Sequence, residues 1–198
     1  MSDKKDKLLD EFLETLGVDE PDALDVFGAI AEGLQPAAPK DSLRSSLINT
    51  LPTSRFERFA EQVSALLDID VDTALGLLDG IDNADSWEPG LMPGMTLYHV
   101  EGGPAVARAI TGFIRLEATQ SFPPHTHLGD EAVMVLQGYY VDDVSGQTYG
   151  PGDIVRLPGG SAHSFSVLAE STGLLYLAVV QEGLQIGDDV LLFDDPNM

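Results

Sequence analysis

"FPPHTHLGDEAVMVLQG", residues 122–138, holds two of the four histidines in a chain of 198 residues. His125 and His127 are spaced i, i+2, a pair of prolines precedes them, and Glu131 follows four residues later. Side chains on an extended strand alternate between faces, so the two imidazoles project to one side and can close on one ion. Glu131 shares their parity and Asp130 does not, which makes Glu131 the expected carboxylate, subject to how the turn at "LGD" disturbs the alternation.

A ligand pair from one strand needs partners across the sheet. "GDIVRLPGGSAHSF", residues 152–165, supplies one: a strand to Leu157, a tight turn at "PGG", and a returning strand that carries His163. Three imidazoles and one carboxylate, from two strands, suit one divalent ion (iron, manganese, zinc, nickel or cobalt) with positions left for water or substrate. A lone histidine in a barrel is more often a hydrogen-bonded structural residue. Three in register with a glutamate reverse those odds, so the expected metal ligands are His125, His127, Glu131 and His163.

The surroundings of these motifs read as β structure. Beyond residue 80, Gly and Pro separate short extended segments such as "MTLYHVE", "EAVMVLQGYYVDD", "DIVRLP", "AHSFSVL" and "LLYLAVV", the pattern of an antiparallel sandwich or barrel. Before residue 80 the apolar positions recur at helical spacing, with Leu8, Leu9, Phe12, Leu13 and Leu16 forming one stripe. "DALDVFGAIAEGL" is a second helix candidate, and "QPAAPK" at 35–40 is a linker. Asp41 and Ser42, then Ser54, then Asp72 are the expected caps of three further helices. The expected organisation is a helical region over 1–85 and a mainly β barrel over 86–198, with Trp87 packing the join.

Charge excludes several functions. A net charge of −23 repels phosphate backbones and anionic membranes, and after Arg58 only Arg108, Arg115 and Arg156 are basic apart from histidine. Direct nucleic-acid and membrane binding are therefore not expected. The absence of cysteine excludes disulfides, thiolate zinc sites and cysteine nucleophiles. No apolar run has membrane-spanning or signal-peptide length, so a cytoplasmic protein is expected.

The histidine motifs resemble the cupin superfamily, whose first motif reads G(X)5HXH(X)3,4E(X)6G and whose second reads G(X)5PXG(X)2H(X)3N. His125, His127, Glu131 and Gly138 match the first, and Gly152, Pro158, Gly160 and His163 the second. Thr119 stands where the first motif opens with glycine and Val167 where the second ends with asparagine. The resemblance implies a small antiparallel β-barrel, a jelly roll, with the ion inside its mouth. The segment "VLQGYYVDDVSGQTYGPGDIVRLPGGSAHSF", with its short gap between motifs, is most similar to the cupin half of ChrR-type anti-sigma factors. Those proteins join a zinc-bound helical domain that masks a sigma factor to a metal-binding cupin that senses reactive oxygen. Their amino-terminal zinc site uses histidine and cysteines, whereas this chain has no cysteine and its first histidine is His99.

The resemblance thus implies a metal-binding regulatory module with a sigma factor or another protein as partner. The alternative is an Fe(II)-dependent dioxygenase acting on a small organic substrate held in the barrel, and whether the chain is an enzyme stays open at this point. A homodimer is suggested by analogy alone.

Asp68, Asp70, Asp72 and Asp79 fall at calcium-loop spacing, but Thr73 replaces the required glycine, so helix capping explains them better. His99 reads as an exposed or hydrogen-bonded strand residue. At least one of Tyr139 and Tyr140 is expected to face the barrel, mainly as core packing. "DDVLLFDDPNM" reads either as a last strand or as an arm on a neighbouring subunit.

Overall fold

The computed structural model describes residues 55–195 and, before them, only Leu43, which is helical. The chain divides into two compact units, Met1–Leu51 and Pro52–Met198. The expected helices before residue 55, the linker at 35–40 and the Ser54 cap lie outside the described residues.

A single 3-10 turn, Glu57–Phe59, leads into α1 (Ala60–Leu67), and α2 (Val71–Gly80) follows. Ala60, Val63, Leu66 and Leu67 line one buried face of α1, the stripe a 3.6-residue period produces. Asp70, not Asp72, caps α2: its Oδ1 accepts from the Thr73 N–H at 2.8 Å and its Oδ2 from the Thr73 hydroxyl at 2.7 Å. Asp72 lies in the first helical turn, where a carboxylate faces the positive end of the helix. The Asp68 carboxylate accepts from the Ala105 N–H at 2.8 Å, so two of the aspartates at calcium-loop spacing are engaged in backbone capping.

Among the described residues twelve strands follow: β1 (Glu88–Pro89), β2 (Met95–His99), β3 (Ala109–Leu116), β4 (Ser121–His127), β5 (Glu131–Gln137), β6 (Tyr140–Asp142), β7 (Thr148–Tyr149), β8 (Ile154–Leu157), β9 (Ala162–Val167), β10 (Leu174–Gln181), β11 (Gly183–Ile186) and β12 (Asp189–Leu192). They form two antiparallel six-stranded sheets, in the orders β1-β2-β3-β10-β5-β8 and β12-β11-β4-β9-β6-β7, the two walls of a jelly roll. The carboxy-terminal stretch is thus a last strand, since β12 pairs with β11. The strands flanking "PGG" do not pair with each other. β8 pairs with β5 in one sheet and β9 with β4 and β6 in the other, so this turn carries the chain between walls rather than closing a hairpin.

Strands β5 and β10 are buried along nearly their whole length. Val133, Val135, Tyr176, Ala178 and Val180 face the barrel interior, packing with Phe122 and Phe165 of the opposite wall. Ala132, Met134, Leu136, Leu175, Leu177 and Val179 face the other way, against Val63, Leu67 and Leu78 of the helices. Each strand therefore contributes to two cores, and its sequence reads as an apolar run rather than an alternation. Trp87 packs against the helix-side core, donates its indole N–H to the Ile81 carbonyl at 3.0 Å and meets Tyr98 edge-on at 5.8 Å.

Strand β4 explains the two prolines. The β4–β9 register shifts between Phe122 and His125. Proline cannot donate to the ladder, and an irregularity is where a sheet tolerates it. The shift restores the inward face, so Phe122, His125 and His127 are all buried although Phe122 and His125 differ in parity.

Candidate metal centre

His125 and His127 stand on β4, and His163 stands opposite His125 on β9 as its direct cross-strand partner. The ring centroids of the three imidazoles lie 4.6, 4.9 and 5.1 Å apart. Glu131 arrives from the facing sheet, as the first residue of β5. Three strands therefore bring the four side chains together, not two. Glu131 joins the imidazoles because it is an inward residue of β5, not because it shares strand parity with His125 and His127. Asp130, one residue earlier, accepts from the Gly159 N–H at 3.0 Å and braces the "PGG" turn.

Each of the four residues offers one ligand-type atom, and these atoms all lie within 4.8 Å of one another. Among the described residues no other such group comes together. His127 Nε2, His163 Nε2 and Glu131 Oε2 are buried and make no hydrogen bond. Yet His127 Nε2 is 3.1 Å from Glu131 Oε2, and His163 Nε2 is 3.8 Å from the same oxygen. Buried ligand-type atoms this close with no hydrogen bond among them are spaced as the ligands of one ion would be. Neighbouring ligands around an octahedral ion with bonds of about 2.1 Å stand about 3 Å apart. Buried polar atoms without a partner are costly, so this donor set fits a divalent cation well.

The other ring nitrogens set the tautomers. His125 Nδ1 is 2.9 Å from the Pro123 carbonyl, which can only accept. His127 Nδ1 is 3.0 Å from Ser161 Oγ, whose own proton goes to the Pro158 carbonyl at 2.6 Å. His163 Nδ1 is 2.6 Å from Asp142 Oδ2. In all three rings the proton therefore sits on Nδ1, leaving the Nε2 lone pair for the centre. Burial pushes the His125 pKa down, more than the Pro123 carbonyl raises it, and the neighbouring imidazoles add to the fall, so the ring is neutral. Burial would raise the Asp142 pKa, but the Ser145 N–H and hydroxyl and the His163 ring together hold it down to about 2. Asp142 is thus an ionised acceptor for His163. Spacing within the two motifs identifies neither Asp142 nor Ser161 as a partner of a ring nitrogen. Asp142 in particular lies on β6 and meets His163 only through the β6–β9 pairing.

The cluster opens onto a cavity of about 40 Å³ inside the barrel, bounded by His125, Glu131 and His163 and otherwise by apolar and phenolic groups, among them Phe122, Tyr140 and Tyr176. Tyr140 is 3% exposed and faces inward, whereas Tyr139 is 50% exposed and faces out. His99 is outside the cluster and pairs with Glu88, Nε2 to Oε1 at 3.1 Å. No described helix is long and apolar enough to cross a membrane.

A family model agrees with this architecture. The ChrR Cupin-like domain model matches residues 81–181. No curated protein matches. Among solved structures, a chain of Rhodobacter sphaeroides SigE in complex with the anti-sigma ChrR is 21% identical, with a TM-score of 0.47 over 79% of this chain and 75% of that one. An acetylacetone dioxygenase from Acinetobacter johnsonii is 15% identical, with a TM-score of 0.49 over 58% of this chain and 85% of that one. A protein of unknown function with a cupin-like fold from Ralstonia eutropha JMP134 is 17% identical, with a TM-score of 0.42 over 50% of this chain and 62% of that one, less than two thirds of its length. The family match spans just over half of the sequence and coincides with the barrel that carries the cluster: the chain belongs to the ChrR cupin-like domain family.

Proposed function

We propose that this protein is a cytoplasmic metal-binding regulatory module, in which one divalent cation held by His125, His127, Glu131 and His163 governs how the helical amino-terminal region, residues 1–85, engages a protein partner. A sigma factor is the first partner to test, given the family, with the contact made by metal-free helices because no cysteine is available for a zinc module. Zinc, iron, manganese and nickel all suit imidazole and carboxylate donors.

One observation supports a regulatory reading over an enzymatic one: the cavity inside the barrel that His125, Glu131 and His163 bound is about 40 Å³, and the wider cleft of about 480 Å³ that Glu131 also lines has no histidine of the cluster in its wall. The inner cavity has room for a few water-sized molecules, far below the several hundred Å³ of a site for an organic substrate. A divalent cation held by these four residues would supply Lewis acidity at the cavity. The chain's own residues do the rest. Ser161, Asp142 and the Pro123 carbonyl hold the imidazoles in one orientation. Apolar walls restrict water. Strand β5 carries Glu131 on its inner face and Ala132, Met134 and Leu136 on the face packed against α1 and α2, so a shift of the carboxylate has a direct path to the helices. Such coupling requires that the signal bind or modify one arrangement better than the other.

The test compares metal-loaded and chelated protein for binding to a sigma factor, alongside oxygen consumption by the ferrous form with a panel of diketones. Metal-dependent partner binding with no oxygen consumption supports the proposal. Turnover of a diketone with no partner binding replaces it with the dioxygenase reading.

A further inference from the structure

Two phenols beside the cluster are unexplained by packing. Tyr140 comes from β6 and Tyr176 from β10, on opposite walls, and both line the cavity that His125, Glu131 and His163 bound. They are 3% and 4% exposed. Phe165 sits between them, with ring centroids 4.9 Å from Tyr140 and 5.9 Å from Tyr176. Neither hydroxyl makes a hydrogen bond to any described residue. Phenylalanine packs the same space without a polar atom, as Phe122 and Phe165 do nearby. A tyrosine hydroxyl inside a protein ordinarily finds a partner, and these two residues line the cavity, where a bound molecule can supply one.

We propose that these hydroxyls are the donors of a receptor cavity for a small hydrogen-bond-accepting ligand of two or three heavy atoms, bound between Tyr140, Tyr176 and the cation of the cluster. This rests on the cluster holding a cation. The size follows from the cavity, about 40 Å³, which admits two or three heavy atoms and no ring. The acceptor character follows from the donors. Burial first, and then the Glu131 carboxylate, push the pKa of both phenols up, so they stay protonated and offer O–H groups. Glu131 would repel a free anion, and neutralisation of that carboxylate by the cation is what lets an anionic ligand enter. The apolar remainder of the wall strengthens hydrogen bonds made inside it.

Azide, a three-atom anion, is the probe. Cobalt(II)-loaded protein is titrated with azide and followed by visible absorption, with metal content measured by mass spectrometry before azide is added. Wild-type protein is expected to bind azide saturably. Tyr140→Phe and Tyr176→Phe are each expected to raise the azide Kd about tenfold or more while keeping cobalt and Tm, the loss expected of a hydrogen bond to a charged group. Azide binding unchanged in both variants overturns the proposal, as does cobalt-loaded wild-type protein that binds no azide. A variant that loses cobalt assigns its phenol to support of the cluster and counts against a ligand role. Wild-type protein that takes up no cobalt removes the metal reading, and this proposal with it.

Discussion

Strands β5 and β10 present two unlike surfaces. Their outer face, with Met134, Leu136, Leu175 and Leu177, is closed under α1 and α2 by aliphatic packing. Their inner face looks onto a cavity with orphaned polar atoms, buried phenols and a carboxylate close to imidazoles. One strand alternation separates these environments, so Glu131 and Ala132 are neighbours in sequence yet belong to different cores. The outer face is built for stability and the inner face carries polar groups at a cost to it. This difference is expected of a site that a bound ion completes.

Several substitutions break or sharpen this contrast. The largest effect is expected outside. Leu177→Ala leaves a cavity in the helix-side core, where Leu177 is fully buried, and should lower unfolding free energy by about 3 kcal/mol. Urea denaturation of the metal-free protein measures it, and metal stoichiometry should not change. Inside, Asp142→Asn removes the charged acceptor that holds His163 and should weaken metal affinity about 10- to 100-fold, read by competition with a chromophoric chelator. Its effect on the stability of the metal-free protein should be the smaller of the two. An equal loss of metal affinity in Leu177→Ala would erase the distinction between the faces.

Thr119 yields a smaller effect of opposite sign. This β-branched residue sits at φ +66°, in the left-handed region, at the position where the superfamily motif has glycine. Thr119→Gly relieves that strain but frees the unfolded chain, for a net gain of about 0.5–1 kcal/mol and a higher Tm. The smallest effect concerns the cap of α2. The Thr73 N–H and hydroxyl hold the Asp70 pKa below its ordinary value. A depressed folded pKa contributes stability that is present above the ordinary carboxylate pKa and lost as pH falls through the folded value. Asp70→Ala should therefore lower Tm slightly at pH 7, with the difference closing below pH ~4.

Much of this was legible from spacing. The i, i+2 histidines, the glutamate four residues on and the Pro-Gly turn before His163 all lie within short segments, where strand alternation is a local rule. The extended character beyond residue 80 was legible for the same reason. What local rules could not reach was which wall each strand joins. The "PGG" turn looks like a hairpin but crosses between sheets, because its flanking strands find partners distant in sequence. Glu131 looked like a third residue on the histidine strand and instead faces it. Likewise, the partners of the ring nitrogens, Asp142 and Ser161, are defined by pairing across strands, and Tyr176 reaches the cavity from an apolar run that reads as plain core. The cap of α2 lies two residues before the expected Asp72, because Asp70 and Asp72 are equally suitable in type and only the position of the first helical turn decides between them.

The central claim is that four side chains from three strands grip one cation. Elemental analysis by mass spectrometry of protein purified without added metal, repeated on His125→Ala and His163→Ala with folding checked by circular dichroism, tests it most directly. Close to one divalent ion per wild-type chain and a substoichiometric remainder in both folded variants is the predicted result. Equal metal content in all three proteins, or none in the wild type, would contradict it.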